Sequence, residues 1–452
     1  MSYNWSSYKK EYSKIIRLGL PILVGQLGMI VVAFADNIMV GRYNTDSLAS
    51  ASFVNNVFNA AIFACIGFTY GLTPIIGALF SQKENNTIGA ILRNGLLINI
   101  AFAIAVTLVM ATIYLNIDRL QQPEELLPLI RPYFILSLIG IVPIAVFNVM
   151  SQWLFAINQT RIPMWIVLTA NCLNIAGNYA LIFGNWGFPE LGLMGAGYST
   201  LASRILCPTL ALLVLLLGKR YKCYRDGFIN SSINRRMLSK INRTSWPVAI
   251  QMTLESVCFS FSAVMAGWIS AVSLAAYQII VITGTLGFCI YYSIGSAVSV
   301  IVANNAGLNN TPGMRKSTFA GYHIMLAVST VSSLIFILFE KNLILLFTED
   351  TRVIALTMTL IFPLVLYQYA DATQILFANA LRGTSNVMPM LWIAFVSYML
   401  VGVPAGYIVT FTCGLGTYGI VLSFSISLII AAAMFLYYFL HSTSKERATN
   451  CQ

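Results

Sequence analysis

Residues 18–41 read LGLPILVGQLGMIVVAFADNIMVG, and Asp36 is the only charged residue among them. The stretch follows Lys14 and Arg17 at the end of a polar N-terminal segment. About 20 residues at ~1.5 Å rise carry a helix across the hydrocarbon layer of a bilayer. The stretch therefore predicts a membrane span with a carboxylate inside it. The internal acid, and the lack of a small-residue cleavage site after a short apolar core, point to a retained first span and not a secretory signal.

Similar runs recur along all 452 residues. They predict spans over 18–41, 48–72, 94–116, 132–155, 162–184, 194–217, 247–270, 274–303, 317–339, 353–378, 387–411 and 417–440. The composition agrees: 58% of the residues are hydrophobic, only 9% are charged, and the mean hydropathy is +0.78. A soluble domain carries roughly 25% charged residues, so this chain could not cover a water-facing surface. The expectation is an all-α polytopic membrane protein with twelve transmembrane helices in two six-helix parallel repeats. The longest polar stretch falls near the midpoint, giving lobes at 1–218 and 247–452 with a linker at 219–246.

The basic residues orient the spans. With an even count and both termini in the cytoplasm, the inside segments hold 20 Lys and Arg, eight of them between Lys219 and Arg243. The outside loops hold Arg42, Arg119, Arg131, Lys341 and Arg352. The positive-inside rule therefore places both ends in the cytoplasm and explains the net charge of +11 without an anionic partner; the expected location is the plasma (inner) membrane.

A shift of 226 positions lays Pro21 on Pro247, Gly41 on Gly267, Leu48 and Ala49 on Leu274 and Ala275, and Pro163 on Pro389. At a shift of 224, Leu191, Gly192 and Gly195 fall on Leu415, Gly416 and Gly419. These matches imply a duplicated unit, and transporters built from repeats bind substrate between them.

Three acids lie within predicted spans: Asp36, Glu255 and Asp371. An acid at a helix centre costs about 2.5 to 3.5 kcal/mol on the insertion scale, so such residues usually mark an ion or substrate path. Counted from the cytoplasmic ends, Glu255 and Asp371 fall at similar depth and could share one cation, while Asp36 lies about 10 Å nearer the outside. Residues four apart share a helix face, which puts Tyr367 beside Asp371, Gln251 beside Glu255, and Asn174 beside Asn178. Oxygen ligands of this kind suit alkali ions. Arg204 is the one base well inside a span, able to pair with an acid, line a cavity or snorkel. His323 reads as structural, and Trp5, Trp153, Trp165 and Trp246 read as interface anchors. The eight cysteines show no metal-type spacing and read as buried thiols. Two histidines, with no glycine-rich phosphate loop and no basic-aromatic stretch, offer little for catalysis or nucleic-acid binding.

The stretch Asp36 to Gly41, followed by Leu48 and Ala49, with Leu381 Arg382 Gly383 after the tenth span, resembles the multidrug and toxic compound extrusion (MATE) family. The resemblance covers essentially the whole chain, and within the family it is to the NorM-type branch. That branch's acids in the first, seventh and tenth spans fall on Asp36, Glu255 and Asp371. Its tyrosine falls on Tyr367 and its asparagine pair on Asn174 and Asn178. The resemblance implies export of organic cations and drugs by antiport, coupled to inward sodium or proton movement.

Sodium is the expected ion, with Glu255, Asp371 and Tyr367 as its ligands. Asp36 is a further cation-binding or coupling residue, placed in the other half, and Asn174, Asn178 and Gln251 are candidates for a substrate or second site. No other cofactor is expected, the partners are small molecules and lipid, and a monomer suffices because one chain holds both repeats. The loop after Gly41 departs from the family pattern with Tyr43 and Asn44, and Asn44 is expected to keep the turn by adopting a left-handed backbone. Two rivals predict different residues. A lipid-linked saccharide flippase would line its cavity with Arg and Lys, and a membrane enzyme would cluster His, Asp or Cys; a channel would more often be an oligomeric pore.

Overall fold

The computed structural model describes residues 5–120 and 122–449. Cys451 and the side chains of Trp5, Lys445, Glu446 and Arg447 lie outside the described residues. The described chain is helical, because a backbone in hydrocarbon must satisfy its polar groups within its own segment.

The helices are α1 (Trp5–Tyr43), α2 (Thr45–Ser81), α3 (Asn85–Leu115), α4 (Leu127–Ala156), α5 (Arg161–Phe183) and α6 (Leu193–Leu217). A short α7 (Lys222–Asn230) leads to α8 (Arg235–Ile269), α9 (Ala271–Gly307) and α10 (Thr311–Leu338). After these come α11, in two pieces (Thr351–Thr359 and Ile361–Gly383), then α12 (Met388–Thr412) and α13 (Gly416–Thr449). Eleven are long and apolar enough to cross a membrane, and α11 makes twelve if its bent pair is one span. The bend is 50°. Its cause is Pro363, which has no N–H for the Thr359 carbonyl and whose ring crowds it.

The duplication is visible in corresponding corners. One residue, Asn44, separates α1 from α2, and its side chain accepts from Asp46 N at 2.8 Å. Its counterpart 226 positions on, Ser270, separates α8 from α9 and accepts from Ser273 N at 3.0 Å. Both backbones are extended, φ −160° at Asn44 and −173° at Ser270. Asn44 therefore keeps the turn as a helix N-cap, and the expected left-handed conformation is corrected. The second corner does need positive φ. Gly192 (φ 53°) precedes α6 and Gly416 (φ 55°) begins α13, at the 224-residue shift.

The chain forms two compact units, Pro21–Ala249 and, together, Met1–Leu20 with Ile250–Gln452. Their boundaries fall inside α1 and α8, beside Pro21 and Pro247. Residues 219–246 are largely helical and pack in the first unit. There Arg93 donates to Ile229 O at 3.0 Å and to Ser231 O, and Asn94 Oδ1 accepts from Asn234 N at 2.9 Å. Burial pushes the Tyr221 and Tyr224 phenols of this segment above their ordinary value.

The first unit's core has two centres. Phe58 meets Phe134 edge-on at 4.7 Å, and Trp153 is enclosed by Tyr221 at 5.5 Å and Tyr224 at 5.8 Å. Trp153 is thus a core residue and not an interface anchor, whereas Trp165 is exposed as expected. In the second unit Phe259, Tyr367 and Phe424 pack together, with Phe259 and Phe424 4.2 Å apart. On the N-terminal part of α1, Tyr12 Oη lies 2.9 Å from His323 Nδ1, the structural role expected of that histidine. The cysteines divide: Cys65, Cys258 and Cys289 are buried, Cys207 is half-buried, and Cys172, Cys223 and Cys413 are exposed to whatever surrounds the protein.

Candidate functional site

The acids within the spans sit in two clusters, one in each unit. In the second unit Glu255 projects from α8 and Asp371 from the longer piece of α11, and the two carboxylates interact electrostatically. Asp371 is 1% exposed. Tyr367, one turn earlier, places its phenol beside that carboxylate. The Tyr367 ring is fixed by stacking on Phe424 at 5.9 Å, and the absence of a side chain at Gly284 leaves room for it: a Cβ there would stand 3.1 Å from the ring.

Glu255 accepts from Gln251 Nε2 at 2.8 Å, with the polar ends of Tyr398 and Gln374 close by. Gln374 Nε2 also reaches Tyr398 Oη at 3.1 Å. Tyr398 lies in a π-helical stretch, Phe395–Gly402, where Val403 N bonds the Tyr398 carbonyl five residues back. Such wide turns occur often at functional sites and alter where a side chain points.

Two buried oxygens of this cluster, Asp371 Oδ2 and Gln374 Oε1, have no hydrogen-bond partner among the described residues. A buried carboxylate oxygen is costly unless something positive meets it. The donor set consists of two carboxylates, a phenol and amide oxygens, all hard ligands. It fits an alkali cation or a proton and lacks the sulfur and imidazole that transition metals select. Among the described residues no group of three or more His, Cys, Asp or Glu could hold a metal ion.

In the first unit Asp36 on α1 faces α5. Asn178 donates to Asp36 Oδ1. With the Asn174 amide oriented to satisfy its surroundings, its nitrogen donates to the same oxygen at 2.9 Å and its oxygen accepts from Thr200 Oγ1 at 3.3 Å. Ser199 Oγ bonds the Asn174 carbonyl at 2.7 Å and so ties α6 to α5 beside the cluster. Arg204, also on α6, lies within electrostatic reach of Asp36 and Tyr133.

All seven residues singled out from the sequence therefore fall in these clusters: Glu255, Asp371, Tyr367 and Gln251 in one, and Asp36, Asn174 and Asn178 in the other. Sequence reading missed Tyr398, Gln374, Thr200 and Tyr133. Gln374 carried a usable signal, lying three residues from Asp371 on the same face. Tyr398 carried none, because its direction depends on the π-turn.

A polytopic helical protein that keeps carboxylates inside its spans, held by amides and phenols and not by a nucleophile and base, is a membrane transporter. The MatE family model matches the chain twice, over residues 21–180 and 247–408, starting at the two prolines that the 226-residue shift superposes. The chain belongs to the MATE family, as a NorM-type member; it is a multi-pass transporter and not an enzyme.

Its relatives include the multidrug resistance protein NorM of Vibrio cholerae, 28% identical, with 94% of each chain covered. Another is the probable multidrug resistance protein NorM of Geobacillus kaustophilus, 27% identical, with 90% of each chain covered. The same fold occurs in a crystal structure of MATE in the bent conformation (19% identity, TM-score 0.88, 98% of this chain and 97% of that one). It occurs again in the eukaryotic MATE transporter AtDTX14 (17% identity, TM-score 0.87, 98% and 99%).

Proposed function

We propose that the chain is a cation-coupled multidrug efflux antiporter of the inner membrane, working as a monomer by alternating access with both termini in the cytoplasm. Its substrates are organic cations and drugs, in line with the names of its NorM relatives. Glu255, Asp371 and Tyr367 hold the coupling ion, which is sodium, and Gln251 positions Glu255. Asp36, with Asn174 and Asn178, is the second polar site.

The observation that carries this reading is the buried, unpartnered Asp371 Oδ2 beside Gln374 Oε1. Two carboxylates sharing a buried region are relieved by a cation that enters from the high-concentration side. For sodium exchanging with a monovalent drug cation the opposed charge movements cancel, so chemical gradients do the driving. Unbalanced charge would add about 2.3 kcal/mol per 100 mV.

The test is uptake of a fluorescent organic cation into inside-out proteoliposomes, with a sodium gradient at fixed pH in one arm and a proton gradient without sodium in the other. The Glu255→Gln, Asp371→Asn double variant runs alongside. Uptake driven by sodium and absent from the variant supports the reading. Uptake driven only by protons replaces the ion, and a drug-independent ion current would make the protein a channel. No gradient-driven uptake by folded protein removes drug export, leaving lipid-linked substrates to be tested.

A further inference from the structure

The connection between α5 and α6 carries features that a simple turn does not need. Residues 184–192 contain three glycines at positive φ, Gly184 (69°), Gly187 (82°) and Gly192 (53°), and among them Trp186 at φ 57°. A left-handed backbone is an outlier for a bulky residue, and strain of this kind gathers at ligand clamps. The loop is held in that shape. Leu191 N donates to Leu181 O at 2.9 Å, Phe188 N to Asn185 O at 3.2 Å, and Asn185 Nδ2 to Tyr179 O at 3.2 Å. Trp186 nevertheless stays 69% exposed.

Around it stands a wall of aromatic rings. Tyr179 meets Trp186 at 5.4 Å and 62°, and Phe183 lies 6.4 Å from both Tyr179 and Tyr43. The Tyr43 ring fits because Gly192 has no side chain: a Cβ there would stand 2.8 Å from Tyr43 Cζ. Its phenol lies beside the Glu190 carboxylate. Glu190 is exposed, and among the described residues no base, Arg42 included, stands within ion-pair distance of it. Trp and Tyr at membrane ends commonly serve as interface anchors, but an anchor needs neither a strained backbone nor a carboxylate without a base.

We propose that Trp186, Tyr179, Tyr43 and Glu190 form a peripheral site for aromatic quaternary ammonium ions at the outer end of the first unit. Aromatic faces attract a cation whose charge is spread over methyl groups, and Glu190 adds an attraction of longer range. Tyr43 lies seven residues beyond Asp36, two turns along the same face of α1 and about 10 Å nearer the outside. The site is therefore the last contact of a substrate leaving the Asp36 cluster. Exposure to solvent keeps each contact weak, so the cation is held briefly and released. The inference rests on the export reading for the direction of travel but not for binding.

The probe is an aryl diazirine bearing a trimethylammonium group, and its control is the neutral analogue with a tert-butyl group in that place. The two have nearly the same shape, and only the first is a cation. Full-length protein in lipid nanodiscs is photolabelled without any ion gradient, and labelled peptides are located by mass spectrometry. The readout is labelling of residues 179–192, cation against neutral analogue, with excess phenyltrimethylammonium as competitor. The variants are Trp186→Asn, Trp186→Phe, Tyr179→Leu and Glu190→Gln. Asparagine tolerates positive φ, so Trp186→Asn removes the ring without straining the loop.

The cation is expected to label wild type in this segment, displaced by the competitor, and the neutral analogue to label it little. Trp186→Asn should lower that preference about 3- to 10-fold, the worth of a cation–π contact, while Trp186→Phe keeps most of it. Glu190→Gln should lower it about 3-fold at low salt and make it insensitive to salt. Equal labelling by the two probes, labelling that the competitor does not displace, or a preference unchanged in folded Trp186→Asn overturns the proposal and returns these rings to interface anchoring. If Trp186→Asn does not fold, Tyr179→Leu and Glu190→Gln decide by the same ratio. Ring-dependent labelling in a protein without ion-driven uptake supports the site and counts against coupled export alone. Ion-driven uptake with no such labelling counts against the site alone.

Discussion

Replacing Asp371 by asparagine separates charge from shape. The side chain is isosteric and its remaining oxygen can still lie beside the Tyr367 phenol, so the packing around Phe424 is undisturbed. What changes is the buried pair: one negative charge is lost beside Glu255, and the unpartnered Oδ2 becomes an amide donor that cannot meet a cation. A charge-assisted contact is worth about 1.5–3 kcal/mol, so sodium should bind about 100-fold more weakly.

By linkage, wild type at a sodium concentration of ~100 Kd gains about 2.7 kcal/mol of stability. At the same concentration the variant, now near its own Kd, gains only about 0.4 kcal/mol. Thermal unfolding in detergent, sodium against choline at equal ionic strength, should show a sodium-dependent rise for wild type that nearly vanishes for Asp371→Asn. In choline the variant should be no less stable than wild type, because a like-charge repulsion has been removed. A full sodium response in Asp371→Asn would refute the assignment of the ion to this carboxylate.

Three further outcomes follow from the geometry. Asn44→Ala and Ser270→Ala should each cost about 1 kcal/mol through loss of an N-cap, while Asn44→Ser should be nearly neutral, read by thermal unfolding. Gly67→Ala should cost about 1–3 kcal/mol, because its Cβ would stand 2.8 Å from Ala249 Cα and 3.1 Å from Val248 O, both backbone atoms that cannot swing aside; a variant as stable as wild type would contradict that packing. Arg93→Ala removes the donor to the carbonyls of Ile229 and Ser231, so trypsin should cut at Lys222 or Arg225 several-fold faster, with the pattern elsewhere unchanged.

Much of the architecture was legible because lipid imposes a simple rule on sequence: about 20 apolar residues, then a break. The predicted spans all have their helix, and the 226-residue shift that aligned Pro21 with Pro247 recurs in the caps at Asn44 and Ser270. Asp36, Glu255 and Asp371 stood out for the same reason, as isolated charges in apolar runs. Their neighbours at helical spacing, Tyr367, Gln251 and the asparagine pair, followed from the 3.6-residue period.

The remaining features depend on contacts between segments distant in sequence. Trp153 has the flanks of an interface anchor and becomes core only because Tyr221 and Tyr224 fold back over it. The tenth span read as one continuous run over 353–378, and the 50° between the two pieces of α11 appears only in the structure. Tyr398 reaches Glu255 through a π-turn that no residue pattern announces. Arg204 could be seen as a base in a span, yet only Gly140 on another helix shows where its guanidinium lies. Periodicity along the chain determined which residues lie in the membrane and which share a helix face. Which of those faces meet, and so which charges find a partner and which are left for a ligand, was decided by packing alone.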